Sequence, residues 1–290
     1  MITTNRTPDE EPPMNTFATP SPITAALITA GARVRIAASE RPDTVVGVEP
    51  LDAANASDVT VAERTEVAFA GGELSVKTRK PGGRTGSVAI TIELPAGSRL
   101  VLHSTWTDVR AEGRFGDCEL NLGSGHVQLD HIAALRGNLA AGSVAIAHVA
   151  GPADVDGGAA GLRIGEVDGV VRYQGSTGQV WIGHARSDVD LGSARGGFDI
   201  DRADAGVVAN AGDCPIRIGR MTRGRAELAN ASGGIEVGIS EGAAVSVDAK
   251  STKGAVRSSL SAQDAEGSGE RVSVRARTRL DDIVIHRVAA

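Results

Sequence analysis

Between Val109 and Val237 the apolar residues return in a fixed rhythm. Taking the first apolar residue of each unit as an anchor gives Val109, Val127, Val144, Leu162, Val180, Phe198, Ile216 and Ile235. Successive anchors stand 17 to 19 residues apart, and most are 18 apart. Two residues on runs a second apolar column: Ala111, Leu129, Ile146, Ile164, Ile182, Ile200, Ile218 and Val237. A third lies five residues after the anchor, from Ile132 and Val149 to Met221. A fourth and fifth lie 9 and 11 residues on, as in Val171 with Tyr173 and Val189 with Leu191.

Apolar side chains at every second position mark a strand with one buried face, and the 3.6-residue period of a helix is absent from the repeat. One unit alone has too few apolar side chains to form a core. Stacked units bury a continuous column, so the fixed period predicts an all-β, single-chain parallel β-solenoid (a β-helix) of about 18 residues per rung. Neighbouring strands should lie ~4.8 Å apart. Crossovers between parallel strands favour a right-handed coil. A β-sandwich gives no reason to hold one period over seven repeats. Glycines two before the anchor (Gly125, Gly142, Gly178, Gly196, Gly233) and three after it (Gly165, Gly183, Gly219, Gly238) suit corners that bend sharply and call for positive φ.

The pattern divides the chain into four parts. Residues 1–13 are polar and proline-rich, a tail expected to be disordered. Residues 14–98 read as an N-terminal β-rich cap module, with Met14 an alternative start. Within this module Gly71-Gly72 signals a hairpin, Asp58 is placed to cap a short helical turn through Glu63, and 80–86 is a basic, glycine-rich loop. The regular solenoid covers 99–248. Residues 249–290 supply C-terminal closing strands, after a polar loop at 262–270.

Composition narrows the function. Aromatic residues make up 2% of the 290 residues, so the core must be aliphatic, and 37 glycines suit many tight corners. A net charge of −6 without a basic cluster argues against nucleic acid as a partner. No apolar run is long enough to span a membrane. The first 20 residues lack the basic start and apolar core of a signal peptide, so the cytoplasm is the expected compartment. Cys118 and Cys214 fall about five rungs apart, out of disulfide reach, and Cys118 should point inward and be inert.

With these phrases in view, the chain resembles the bacterial "putative adhesin" β-strand-repeat domain family of unknown function. The matching text is Thr16–Pro20, Gly31–Ala38, Val88–Gly97, the Gly-x-apolar-x-apolar-Gly units, and Asp282–Arg287, covering roughly 16–287. The resemblance implies a β-solenoid, and it implies no reaction and no catalytic residues.

Stacking should align outward residues in ladders. One ladder reads Arg163, Trp181, Asp199, Arg217. Its tryptophan beside an arginine is either a binding patch for a sugar, an aromatic group or a protein, or a self-contained cation–π ladder. Arg163, Trp181 and Asp199 are therefore the candidate binding residues. A second ladder reads His131, His148, Glu166, His184, Arg202, Arg220. Three imidazoles and a carboxylate could meet zinc, but the run continues into arginines, which favours solvated corner residues and no metal. Asp154, Arg172 and Asp190 alternate in sign, which favours ion pairing over a raised carboxylate pKa. His103 and His126 have no evident partner. No nucleophile triad, phosphate loop or CxxC motif is present, so no catalytic residue is assigned. The sequence thus predicts a non-enzymatic cytoplasmic scaffold or interaction module without cofactor, binding an unknown protein or itself. A carbohydrate-active lyase or hydrolase and an end-to-end filament are the alternatives.

Overall fold

The computed structural model describes residues 14–78, 86–260 and 270–288. The tail 1–13 and most of the loops at 80–86 and 262–270 lie outside these. The described chain opens with β1 (Met14–Ala18), β2 (Thr24–Ala30), β3 (Ala32–Ser39) and β4 (Asp43–Pro50), then helix α1 (Ala56–Arg64). Next come β5 (Glu66–Ala70), β6 (Glu73–Lys77), β7 (Val88–Pro95) and the long β8 (Arg99–Leu139). The repeat supplies β9 (Ser143–Val149), β10 (Ala153–Gly157), β11 (Gly161–Val167), β12 (Val171–Gly175), β13 (Gln179–Ala185) and β14 (Val189–Arg195). It continues through β15 (Gly197–Ala203), β16 (Val207–Asp213), β17 (Ile216–Met221), β18 (Gly224–Ala229) and β19 (Ile235–Ser240). The chain closes with β20 (Ala244–Ser251), β21 (Val256–Ser258), β22 (Arg271–Thr278) and β23 (Ile283–Val288).

The architecture is nearly all-β, parallel and solenoid-like. Each central coil gives one strand to each of two parallel ladders. One ladder stacks β9, β11, β13, β15, β17 and β19. The other stacks β10, β12, β14, β16 and β18. β8 is long enough to enter both. The anchors are direct register partners: Val127 with Val144, Val144 with Leu162, and so on through Val180, Phe198 and Ile216 to Ile235. All eight anchors and their i+2 neighbours are buried, which puts the apolar columns inside as one continuous core.

The two glycine sets do different jobs. Gly125, Gly142, Gly196 and Gly233 take positive φ, as expected. Gly178 and the set three after the anchor do not. A Cβ at Gly183 would lie 2.5 Å from the Gly165 carbonyl oxygen, so there the requirement is close approach of the neighbouring strand.

Both ends depart from sequential stacking. At the start, β2 pairs with β8 on one side and β6 on the other, and β3 lies between β8 and β7. At the finish, β22 lies between β18 and β20, and β23 between β19 and β21. Residues 271–288 are thus one coil inside the end, and the outermost coil is 244–258. This corrects the simple placement of closing strands over 249–290. Ile235 finds its partner in Ile283, with β20 and β21 looped out beyond.

The start of the solenoid is covered. β4 adds to β7 and β1 to β4, both antiparallel, while β5 forms a hairpin with β6 through Gly71 and Gly72, both at positive φ. Phe17 of β1 stacks on Phe69 of β5 at 5.3 Å, and α1 buries Val61. The helix is capped by Asn55, whose side chain accepts from Ser57 N at 2.9 Å, rather than by Asp58. Asp58 lies inside the first turn, and its buried carboxylate accepts from Asp52 N at 3.0 Å and Ser87 N at 2.8 Å, tying two loops to the helix.

Candidate functional site

On β11, β13, β15 and β17 the residue between the two inward columns must face out. Register places Arg163 beside Trp181, Trp181 beside Asp199, and Asp199 beside Arg217. The guanidinium carbon of Arg163 lies 4.3 Å from the centre of the Trp181 ring. The ring also lies along its own strand: a Cβ at Gly183 would stand 3.0 Å from its Cη2. Glycine at 183 therefore makes room for the indole to lie flat. Arg217 binds Asp199 at 2.6 Å and Asp201 at 3.2 Å. The hydrogen bond to Asp199, then that to Asp201, pushes the Arg217 pKa up. The four side chains stand in register as cation, ring, carboxylate and cation, with Arg163 stacked on Trp181 and Arg217 paired with Asp199.

The histidine ladder runs beside this face. His131 meets His148 edge-on at 5.7 Å. His148 Nε2 bonds Asp168 at 3.0 Å, and His184 Nε2 bonds Asp204 at 2.7 Å. Glu166 stands 3.6 Å from His184 Nδ1 and is gripped by Arg186, which also reaches Asp168 at 3.2 Å. Arg202 and Thr222 each reach Asp204 Oδ1 at 2.9 Å. Burial raises the Asp204 pKa, but bonds from Arg202, His184 and Thr222 outweigh it and hold the carboxyl at about 2. The imidazoles are drawn towards separate carboxylates, and among the described residues no group of three or more His, Cys, Asp or Glu could hold a metal.

Asp154, Arg172 and Asp190 stand in register as expected, but among the described residues no salt bridge joins them. All three are exposed, where water screens each charge and fixing long side chains costs entropy. A shallow cleft of about 540 Å³ borders Asp154 and Arg172, with Arg99, Glu119 and Arg136 also in its lining. Arg99 and Glu119 pair across it at 3.1 Å. His126, without partner in the sequence reading, bonds Ser143 at 2.7 Å. Cys118 and Cys214 are free and buried, and burial pushes their thiols up to about 12 and about 11.

Trp106 escaped the sequence reading. It is 71% exposed and, among the described residues, the one non-glycine with positive φ, at 54°. A bulky residue there is strained. The signal was available: the corner glycine of the next coils, Gly125 and Gly142, is Thr107 in this one, and the bend falls on its neighbour.

No protein-family model matches this chain, and no curated protein matches it. Solved structures do. The chain is similar to a putative adhesin from Bacteroides fragilis, at 12% identity and TM-score 0.33, over 96% of this chain and 98% of that one. It is similar to a putative lipid binding protein from Parabacteroides distasonis, at 10% identity and TM-score 0.42, over 97% and 98%. A putative adhesin from Parabacteroides merdae is similar at 8% identity and TM-score 0.41, over 95% of each chain. The name borne by two of the three is that of the family the sequence resembles.

Proposed function

We infer that this protein is a non-enzymatic interaction module of the cytoplasm. It is built on a right-handed coil of about 18 residues and presents Arg163, Trp181 and Asp199 to a protein partner. The observation that supports this reading is the in-register surface of Arg163, Trp181, Asp199 and Arg217. Its side chains are already ordered against one another, so a partner docking there meets a face with little further ordering to do. Tryptophan and arginine are the side chains on which interface energy concentrates. The reading assigns no catalytic group. Along the Asp154 column Arg172 stands between Asp154 and Asp190.

A photo-crosslinker placed at Gln179, beside the ladder, tests this in the native host. The expected result is a discrete protein adduct that disappears when Trp181→Ala is added, with the circular dichroism spectrum unchanged. An adduct pattern indifferent to Trp181 overturns the assignment of this face.

A further inference from the structure

The two ends of the solenoid differ. At the start, the edge strands β1 and β5 are five residues each, and their phenylalanines close the core. At the finish, β20 is eight residues long and, among the described residues, pairs only with β22. Among the described residues, nothing covers the apolar columns there at Val247 and Val256. Val247 partners Val274 and Val256 partners Ile283, both fully inside, yet Val247 is 39% and Val256 44% exposed.

Among the described residues, one side of the β20 backbone has no strand partner. Ala244 N bonds Glu270 O and Thr252 N bonds Thr278 O, so the even-numbered amides point at β22. In a parallel ladder alternate residues bond the neighbour. The amides and carbonyls of Val245, Val247, Ala249 and Ser251 therefore point out of the end of the molecule. Such an edge is a template for another strand.

The geometry points to a second copy of this chain as that strand, joined tail to tail through antiparallel pairing of β20 with β20. Self-complementarity of charge selects the occupant and its register. With Ala249 opposite Ala249 of the second copy, the outward-pointing odd residues bond each other. Asp248 then faces Lys250 of the second copy twice, in the closer, non-hydrogen-bonded positions. A shift in one direction sets Asp248 against Asp248, and in the other Lys250 against Lys250. Either shift opposes like charges. The inner faces meet as well, so the two apolar columns run on into each other and cover Val247. Because the start of each chain is covered, the assembly stops at two, unlike an open head-to-tail stack. This interface lies apart from the Trp181 face, so a monomer result leaves the proposed function standing.

Light scattering on the full chain at several concentrations is the test, with circular dichroism as a check on folding. Wild type is expected at twice the chain mass. Asp248→Lys and Lys250→Asp should each weaken the dimer at least tenfold, and the double exchange should recover part of that loss, because the pair between copies is then reversed while a cation at 248 stands beside Arg275 and Arg277 of its own chain. Ala249→Pro, which removes an amide that β22 does not use, should give folded monomer. A wild-type monomer at all concentrations overturns the proposal. So does a double exchange no better than the singles, or larger polymers. A monomer whose Val247 and Ala249 amides resist hydrogen exchange would mean that the edge is already covered, and would overturn it equally.

Discussion

The Tyr173 hydroxyl is enclosed beside Phe198, whose ring meets the phenol edge-on at a centroid distance of 6.3 Å and offers it no acceptor. Three glycines make its niche: a Cβ at Gly157, Gly175 or Gly178 would stand 2.3–2.6 Å from the phenol oxygen. Burial raises its pKa, so it stays a neutral hydroxyl. Among the described residues it has no hydrogen-bond partner, and such an enclosed hydroxyl is a desolvation cost. Tyr173→Phe should therefore raise stability by about 1 kcal/mol, or about 2–4 °C in melting temperature for a chain of this size. Thermal denaturation of both proteins decides it, and a drop would mean the hydroxyl has a partner inside.

Gly142 combines positive φ, 92°, with a Cβ position 2.1 Å from the Gly125 carbonyl oxygen. Alanine there meets both backbone strain and a clash that no rotamer relieves. Gly142→Ala should destabilise by at least about 2 kcal/mol. Alanine at Gly242, also at positive φ but in open space, should be milder. Denaturant midpoints for the two variants would rank them, and equal losses would contradict the crowding argument.

Asp204 has a folded pKa below its ordinary value of 3.8, at about 2. Its contribution is present above about pH 4 and fades as the pH falls towards 2. With its side chain 18% exposed, the effect is about 1 kcal/mol after allowing for solvent screening. Asp204→Asn should remove that loss between pH 4 and 2 and lower stability at neutral pH. Urea titrations at pH 7, 4 and 2.5 follow both.

Arg163→Lys keeps the charge but not the flat guanidinium that stacks on Trp181. Its effect on stability should stay below about 1 kcal/mol, as for an exposed cation–π pair. Tryptophan fluorescence should change nonetheless as the ring loses its cover. An unchanged spectrum would mean that the stack does not order the indole.

Much of this was legible in the residues. The anchors from Val109 to Ile235 each name an interior position, because alternation fixes the face and the period fixes the stack. The same logic correctly set Trp181 between Arg163 and Asp199. Sequence spacing fails where the chain stops stacking in order. The phrase Asp282–Ile285 fits the repeat, but nothing in it says that its neighbour is Ile235, with a whole coil looped out between them. Partners of exposed charges are equally hidden. Asp154 and Arg172 share a register without bonding, whereas Arg202 near the end of β15 and Asp204 just beyond it do bond. Asp58 had the right chemistry for a helix cap, but Asn55 reached the position first.

The coil inserted between β18–β19 and β20–β21 has a bearing on manufacture. Residues 271–288 leave the ribosome after the pieces on both sides of them have emerged. Strands Ala244–Ser251 and Val256–Ser258 must wait, unsupported, for the tail that goes beneath them. A chain cut just before Arg271 would lose one turn of the spiral and strand a second, so this end of the molecule cannot close until that turn has been made.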